Sequence, residues 1–409
     1  MMRKSILVLS AFGIVLVHAT NSHATFSIVA VDTVTGTVGS AGASCIAGSQ
    51  IINDVVEGIG AVNTQSFYLS GNQSNAHTLL LAGIMPDSIM AWLEANDVEG
   101  DPTVRQYGAV TIAGPGASAS FTGGNCFFWA GHLVGPTYAV QGNILLGPEI
   151  IDSMEFVFLN TSGPLEEKLM AALEAAKVPG ADSRCLSAGK SSISAYIKVV
   201  RLGDGGVPYL YEAVGNTTPS VDPIDVLRTQ YDNWKLAQQA NADSSELNVT
   251  PLQQRADGTS LVNITIVPIN HENDTVRYPD DATVSHTGSG TLSAVVYNGN
   301  KTFSATLTAP SIGERDTLTA TVDAGGLNVQ LTARPEVIFY PCGDINGNLT
   351  GLNIVDLNFL VNRIFRSGPP PPFPPAADIN GDATNGNILD LNRLVNYIFR
   401  SIPKPDCGW

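Results

Sequence analysis

Basic residues are scarce in this chain: 21 Lys and Arg stand against 37 Asp and Glu, for a formal net charge of −16 at neutral pH. So acidic a surface repels phosphate backbones and anionic lipid, which excludes nucleic acid and acidic membranes as partners. No lysine occurs between Lys4 and Lys168. After the first two dozen residues, no segment approaches the ~18 uninterrupted apolar residues of a membrane span. Familiar catalytic signatures are missing too: there is no Gly-x-Ser-x-Gly elbow, no phosphate-cradling glycine loop and no His-Glu-x-x-His pair. Of six histidines, His18 and His23 fall within the first 24 residues, and no others are spaced as a zinc pair.

What is present begins with an export signal. Arg3 and Lys4 form a charged start, Ile6 to Val17 an apolar stretch too short to span a bilayer, and Ser22 and Ala24 the small residues of a cleavage site. A rival site after Ala19 would leave Thr20 first. Cleavage after Ala24 is expected, giving a secreted, extracellular chain of about 385 residues that opens Thr25-Phe-Ser-Ile-Val-Ala. A terminal threonine has its general base built in, because its own α-amine lies within reach of the hydroxyl. In an oxidising compartment the five cysteines can pair. Cys342 and Cys407 bracket the last segment and are expected to bond, leaving an odd number (Cys45, Cys126 and Cys185) before them.

The patterning predicts an α+β first unit over 25–235. It opens on a strand, with helices over 77–94 (broken at Pro86), 148–159, 165–178 and 223–239, a hairpin over 107–122 around Ala113-Gly114-Pro115-Gly116, and a strand over 191–201. Residues 236–257 are polar and read as a linker. Over 258–340, short alternating strands such as Val262-Asn-Ile-Thr-Ile-Val and Thr302-Phe-Ser-Ala-Thr-Leu-Thr predict an all-β sandwich. Its rhythm resembles the bacterial immunoglobulin-like domains of the invasin kind, which are usually spacers.

Residues 341–409 hold an internal repeat. Asp344-Ile-Asn-Gly-Asn-Leu-Thr recurs 34 residues later as Asp378-Ile-Asn-Gly-Asp-Ala-Thr, and each copy runs on to Leu-Val-Asn-x-Ile-Phe-Arg-Ser. Oxygen ligands at alternate loop positions suit calcium. Asp344, Asn346, Asn348, the Thr350 carbonyl and Asp356 are the candidates for one ion. Asp378, Asn380, Asp382, the Thr384 carbonyl and Asp390 are those for a second. The bland alternative is a pair of Asx-rich turns, which two copies in register disfavour. The arrangement resembles a type I dockerin, a small helical calcium domain, which implies a cohesin-like or cell-surface partner. In both copies the closing Asp stands at the thirteenth loop position, one later than in that family, which puts cohesin recognition in doubt and leaves a calcium-stabilised cap as the rival reading.

Blocks spread over 25–230 carry a further resemblance. Gly60-Ala-Val-Asn-Thr-Gln, Arg105-Gln-Tyr-Gly, Phe121-Thr-Gly-Gly-Asn-Cys, Trp129-Ala-Gly-His, Tyr138-Ala-Val-Gln-Gly-Asn-Ile-Leu and Gly180-Ala-Asp-Ser-Arg look like the domain-of-unknown-function family 1028. That resemblance implies a four-layer αββα sandwich of the N-terminal-nucleophile hydrolase kind, and no activity of its own. On it, Thr25 is the candidate nucleophile. Gln141 and Asn143, read as part of a glycine-rich turn, would hold an oxyanion, and Asp182 and Arg184 would orient the amine or a substrate carboxylate. Each has a structural reading beside it: Thr25 as the first residue of an edge strand, Asn143 as a turn residue, Asp182 and Arg184 as an ion pair. His132 is as readily a packed histidine as a proton shuttle, and the pairs Thr64–Gln65 and Arg105–Gln106 as readily cap sheet ends. The proteasome-like branch places an Asp and a Lys downstream of its Thr, but the matching stretches here read Ser40-Ala-Gly-Ala-Ser and the surroundings of Glu57. Cys45 and Cys185 stand where other residue types are expected in relatives. A Cys45–Cys185 disulfide would account for both and leave Cys126 free, and the pairing stays open. The leading expectation is an amidohydrolase or peptidase-like enzyme acting on extracellular amides. Its rivals are a binding or scaffold protein with an inactive head, and an inert head docked through its tail.

Overall fold

A computed structural model describes residues 25–114, 117–405 and 407. The leader, its two candidate cleavage sites, and the Pro115-Gly116 tip of the predicted hairpin lie outside the described residues. The chain divides into two compact units, Met1–Tyr231 and Asp232–Trp409.

Among the described residues the first unit is built on ten strands: β1 (Thr25–Asp32), β2 (Thr37–Ser44), β3 (Asn53–Val56), β4 (Gly60–Ser66), β5 (Arg105–Thr111), β6 (Ser118–Thr122), β7 (Trp129–Gly135), β8 (Tyr138–Leu145), β9 (Ser194–Val200) and β10 (Leu210–Val214). One sheet has the order β10-β9-β2-β1-β8-β7 and the other β3-β4-β5-β6, with every pairing antiparallel. Helices α1 (Ser70–Leu81) and α2 (Pro86–Ala95) cover the smaller sheet, and α3 (Glu149–Asn160) and α4 (Leu165–Ala175) the larger. The layers therefore run helix, sheet, sheet, helix. The break before Pro86 falls where it was expected, since proline starts a helix well and continues one badly. Helix α5 begins at Pro223.

Strand alternation sorts each residue to one face. On β1, Phe26 and Ile28 turn to the helices, while Thr25, Ser27, Val29 and Val31 turn to the second sheet. The space between the sheets is graded. At one end Val29, Val31, Val38, Val55, Ala61, Val110, Ala139 and Val200 form an apolar cluster. At the other, Thr25, Ser27, Ser44, Gln65, Gln106, Gln141 and Asn143 are all fully or almost fully buried. A polar layer inside a sandwich is costly unless its groups bond one another, so its position marks the place to look for chemistry.

The second unit holds a β-sandwich. One sheet joins β11 (Glu246–Thr250), β13 (Leu261–Val267), β15 (Thr291–Leu292), β16 (Val296–Tyr297) and β17 (Phe303–Thr308). The other joins β12 (Gln253–Arg255), β14 (Pro279–His286), β18 (Glu314–Ala324), β19 (Leu327–Gln330) and β20 (Glu336–Tyr340). The segment 236–257, expected to be a linker, carries β11 and β12. Its alternation is only Leu247 and Val249 long, yet Leu247 enters the sandwich core and Val249 packs against it. Helices α6 (Ile354–Phe365) and α7 (Ile388–Arg400) follow, each opened by a capping box, Asn353 with Asp356 and Asn387 with Asp390. Cys342–Cys407 is bonded, as expected, and Cys45–Cys185 is bonded with Cys126 free. No helix among the described residues is long and apolar enough to cross a membrane.

Candidate functional site

Thr25 lies between two strands, opposite Ser44 on β2 and Asn143 on β8. One rung further in, Ser27 lies opposite Gly42 and Gln141. Residues directly opposite in an antiparallel pair share a face, so Thr25, Ser44, Asn143, Ser27 and Gln141 project together toward β4 and β5. The Thr25 hydroxyl donates to Ser44 Oγ at 3.3 Å. Gln141 Nε2 donates to Ser27 Oγ at 2.6 Å, and Ser27 donates on to Gln65 Oε1 at 2.6 Å. Gln65 Nε2 donates to the Thr25 carbonyl and to Gln106 Oε1, which also accepts from Asn143 Nδ2 at 3.0 Å. The result is one hydrogen-bonded amide network around the first residue of β1.

Gln141 and Asn143 are not in a turn, as the glycine between them had implied; they lie in the body of β8. Gly142 serves packing. A Cβ there would come within 2.3 Å of the Leu145 side chain on the outer face. Gly108 on β5 makes room for the network in the same way, since a Cβ would lie 1.9 Å from Gln141 Oε1.

Residues 25–225 match the family of unknown function DUF1028. A crystal structure of a Silicibacter pomeroyi protein of that family is similar at 23% identity and a TM-score of 0.44, over 51% of this chain and 88% of the other. The Yersinia pseudotuberculosis adhesin InvE is similar at 23% identity and a TM-score of 0.23, over 26% of this chain and 28% of its own. Invasin, a bacterial integrin-binding protein, is similar at 12% identity and a TM-score of 0.23, over 58% of this chain and 36% of its own. No curated protein matches the chain.

Within the DUF1028 region, Asp182 and Arg184 pair with each other. Arg184 Nη2 and Nε donate to the Asp182 carboxylate at 2.9 and 3.1 Å, and the Cys45 amide donates to it at 2.6 Å. Asp182 also bridges to Leu145. Cys45 and Leu145 are one and two residues beyond the partners of Thr25, which puts this buried carboxylate beside the start of β1. The Cys45–Cys185 disulfide ties the turn after Asp182 to the end of β2. Arg105 faces away from the network. Its guanidinium binds Asp97 at 2.8 Å, Glu99 at 2.7 Å and the Phe67 carbonyl. Burial works to raise the Asp97 pKa, but hydrogen bonds from Arg105, Asn72 and the Asp101 amide outweigh it and hold it near about 2. His132 is exposed on β7 and bonded to Thr122 Oγ1 at 2.8 Å, which in turn accepts from Gln106; desolvation lowers its pKa. Thr64 faces the helices with β4's other even-numbered residues.

The sequence reading missed Ser27 and Ser44, and took Gln65 and Gln106 only as strand ends. The signal was there in alternation: Ala61-x-Asn63-x-Gln65 and Gln106-x-Gly108-x-Val110 place polar side chains on inward positions of otherwise apolar strands.

In the C-terminal repeats, Asp344 accepts from the amides of Gly347, Asn348 and Leu349, and Asp356 from those of Ile345, Asn346 and Asn353. Asn346 and Asn348 make Asx turns, and the Thr350 carbonyl accepts from Asn353. Loop two repeats this with Asp378, Asn380, Asp382, Thr384 and Asp390. Burial raises the pKa of Asp344 and Asp390, and takes Asp356 up to about 6. Among the described residues no three His, Cys, Asp or Glu side chains form a metal-sized group. The carboxylates sit on backbone N–H groups instead.

Proposed function

We propose that the first unit is an amide-cleaving hydrolase of the N-terminal-nucleophile kind, in which export and cleavage after Ala24 create the nucleophile, Thr25. The observation that carries this reading is the buried polar layer gathered around the first residue of β1, in a sandwich whose far end holds an apolar cluster. The freed α-amine takes the Thr25 hydroxyl proton, directly or through water, and Oγ1 forms the bond to the substrate carbonyl carbon. The tetrahedral oxyanion is held by side-chain amides. Asn143 and Gln141 suit this, because each amide nitrogen carries two hydrogens and is bonded to one partner. The ammonium proton passes to the leaving amine as the C–N bond breaks, and water then hydrolyses the ester and restores the hydroxyl. Asp182, already matched by Arg184, is the carboxylate placed to fix the start of β1. The two disulfides fit the oxidising compartment that export implies.

The test begins with the N-terminus of the exported protein. A start at Thr25, and labelling of that residue by an electrophile selective for terminal threonine, are expected. Thr25→Ala should abolish both labelling and any amide hydrolysis found by substrate screening. A different N-terminus, or hydrolysis undiminished in Thr25→Ala, refutes the assignment and leaves the head as a binding or scaffold module.

The C-terminal repeats are read as two calcium sites. Supporting this, Asp344, Asp356, Asp378 and Asp390 are buried, the charges of Asp344 and Asp378 act on Asp356 and Asp390, and among the described residues it is backbone N–H groups that donate to all four. A divalent cation is the group that would offset such charge, and the oxygen-only donor set suits a hard one.

A further inference from the structure

The amide network has a fixed orientation, because three of its contacts are main-chain carbonyls, which can only accept. Gln106 Nε2 donates to the carbonyls of Gly142 at 2.8 Å and Gly131 at 3.0 Å. Its Oε1 therefore points the other way and accepts from Gln65 Nε2 and Asn143 Nδ2. Gln65 Nε2 is fixed independently by the Thr25 carbonyl at 3.2 Å. Turning any one of the three amides would set N–H against N–H or oxygen against oxygen. Asn143 is thus held with its nitrogen on Gln106, which leaves its second N–H and its oxygen to other partners. Asn143 is fully buried, and its Oδ1 has no hydrogen-bond donor.

A buried acceptor without a donor calls for one. The residue directly across from Asn143 is Thr25. As an internal residue Thr25 has one main-chain N–H; as a terminal residue it has a freely rotating amine with two or three. We propose that Asn143 is a positioning residue for the α-amine of Thr25: Oδ1 accepts one amine N–H and turns the nitrogen lone pair toward Oγ1. The proposal rests on the reading of Thr25 as the terminal nucleophile. A neutral acceptor suits the task, because it orients the amine without holding it in the charged form as an adjacent carboxylate would. The groups facing the amine from the packed strands are neutral: Ser44 on β2, Gln141 and Asn143 on β8, Gln65 on β4 and Gln106 on β5. The titratable groups nearest along the network and the strand ends are Asp182, matched by Arg184, and His132, which reaches Gln106 through Thr122.

The experiment uses the chain from Thr25 to Trp409, produced with an initiator Met that is removed, and confirmed by mass. It needs no substrate. The pH dependence of α-amine acylation by acetic anhydride, read peptide by peptide, yields the amine pKa. Asn143→Asp is expected to raise it by about one unit or more, the effect of an opposite charge at close range. Asn143→Ala, which removes the acceptor, is expected to lower it. Asn63→Asp is the control: it is a buried amide of the same layer, bonded to Ser40 rather than lying across from Thr25, and should leave the value in place. The order Ala, Asn, Asp supports the proposal, and Asn143→Ala alone tests it if the aspartate variant does not fold. An amine pKa that ignores position 143 in folded protein overturns it. Failure of the parent reading looks different: the pKa series holds, but the exported protein does not begin at Thr25 or Thr25→Ala keeps its hydrolysis.

Discussion

Single side chains in the first unit divide between chemistry and support, and adjacent residues can do opposite jobs. Gln106 joins the amide network while Arg105, one position earlier and on the other face, anchors Asp97. The side chains of Arg105 and Asp97 are 2% and 0% exposed, so removing one partner leaves a buried charge. Asp97→Asn is expected to cost about 3–5 kcal/mol of unfolding free energy, the usual effect of breaking a buried pair. The pair also sets a pH dependence. The folded-state pKa of Asp97, about 2, lies below that of the unfolded chain, so the unfolded state takes up the proton first. The stabilisation is complete above about pH 4 and is lost as pH falls toward the folded value. Urea midpoints measured between those limits should fall more steeply for the parent protein than for Asp97→Asn. Gly108 poses a second test at this scale. A methyl there must push Gln141 off Ser27, and Gln141 is fully buried. Gly108→Ala should destabilise by about 1–3 kcal/mol, as overpacking does, and should disturb the Thr25 end before the valine end in hydrogen exchange.

Among the elements, β2 and β8 matter most, because their ends frame Thr25. The Cys45–Cys185 bond fixes one of them, holding the turn after Asp182 against the end of β2 across a separation of 140 residues. Replacing both cysteines by serine is expected to cost about 2–5 kcal/mol, read as a lower urea midpoint, and to loosen the Asp182 carboxylate from the Cys45 amide. Element types were largely legible from spacing alone: the helix break at Pro86, the opening strand and the alternating strands of the sandwich. What escaped was short or depended on a partner. β11 and β12 hide in polar sequence because two apolar residues are too few to show a period, and only pairing with β13 and β20 reveals them. The Gln141-Gly142-Asn143 stretch looked like a turn because glycine usually means one, whereas here a neighbouring leucine requires it. Thr25, Gln141, Asn143, Asp182 and Arg184 were all legible as candidates, and the first four do gather at one end of the sheet. The amide orientations that give the site its polarity were not, because they depend on which carbonyls the folded sheets bring within reach.

At the scale of the whole molecule, an acidic chain with 16 excess negative charges buries several of its carboxylates in its last segment. Burial and the neighbouring charge of Asp344 raise the proton affinity of Asp356, and burial and the charge of Asp378 do the same for Asp390; backbone N–H groups donate to all four carboxylates. A cation bound at these loops would stabilise the folded second unit. Calorimetry of the full chain should therefore show calcium shifting one unfolding transition upward and leaving the other in place. A ligand present at a hundred times its dissociation constant adds about 2.7 kcal/mol to the state that binds it, and excess chelator should reverse the shift. Asp344→Ala and Asp378→Ala should each remove part of it, and the double variant all of it. If both transitions ignore calcium and chelator, the repeats are capping turns that need no metal. If Asp344→Ala abolishes the whole shift while Asp378→Ala changes nothing, only the first loop binds and the two-ion assignment fails.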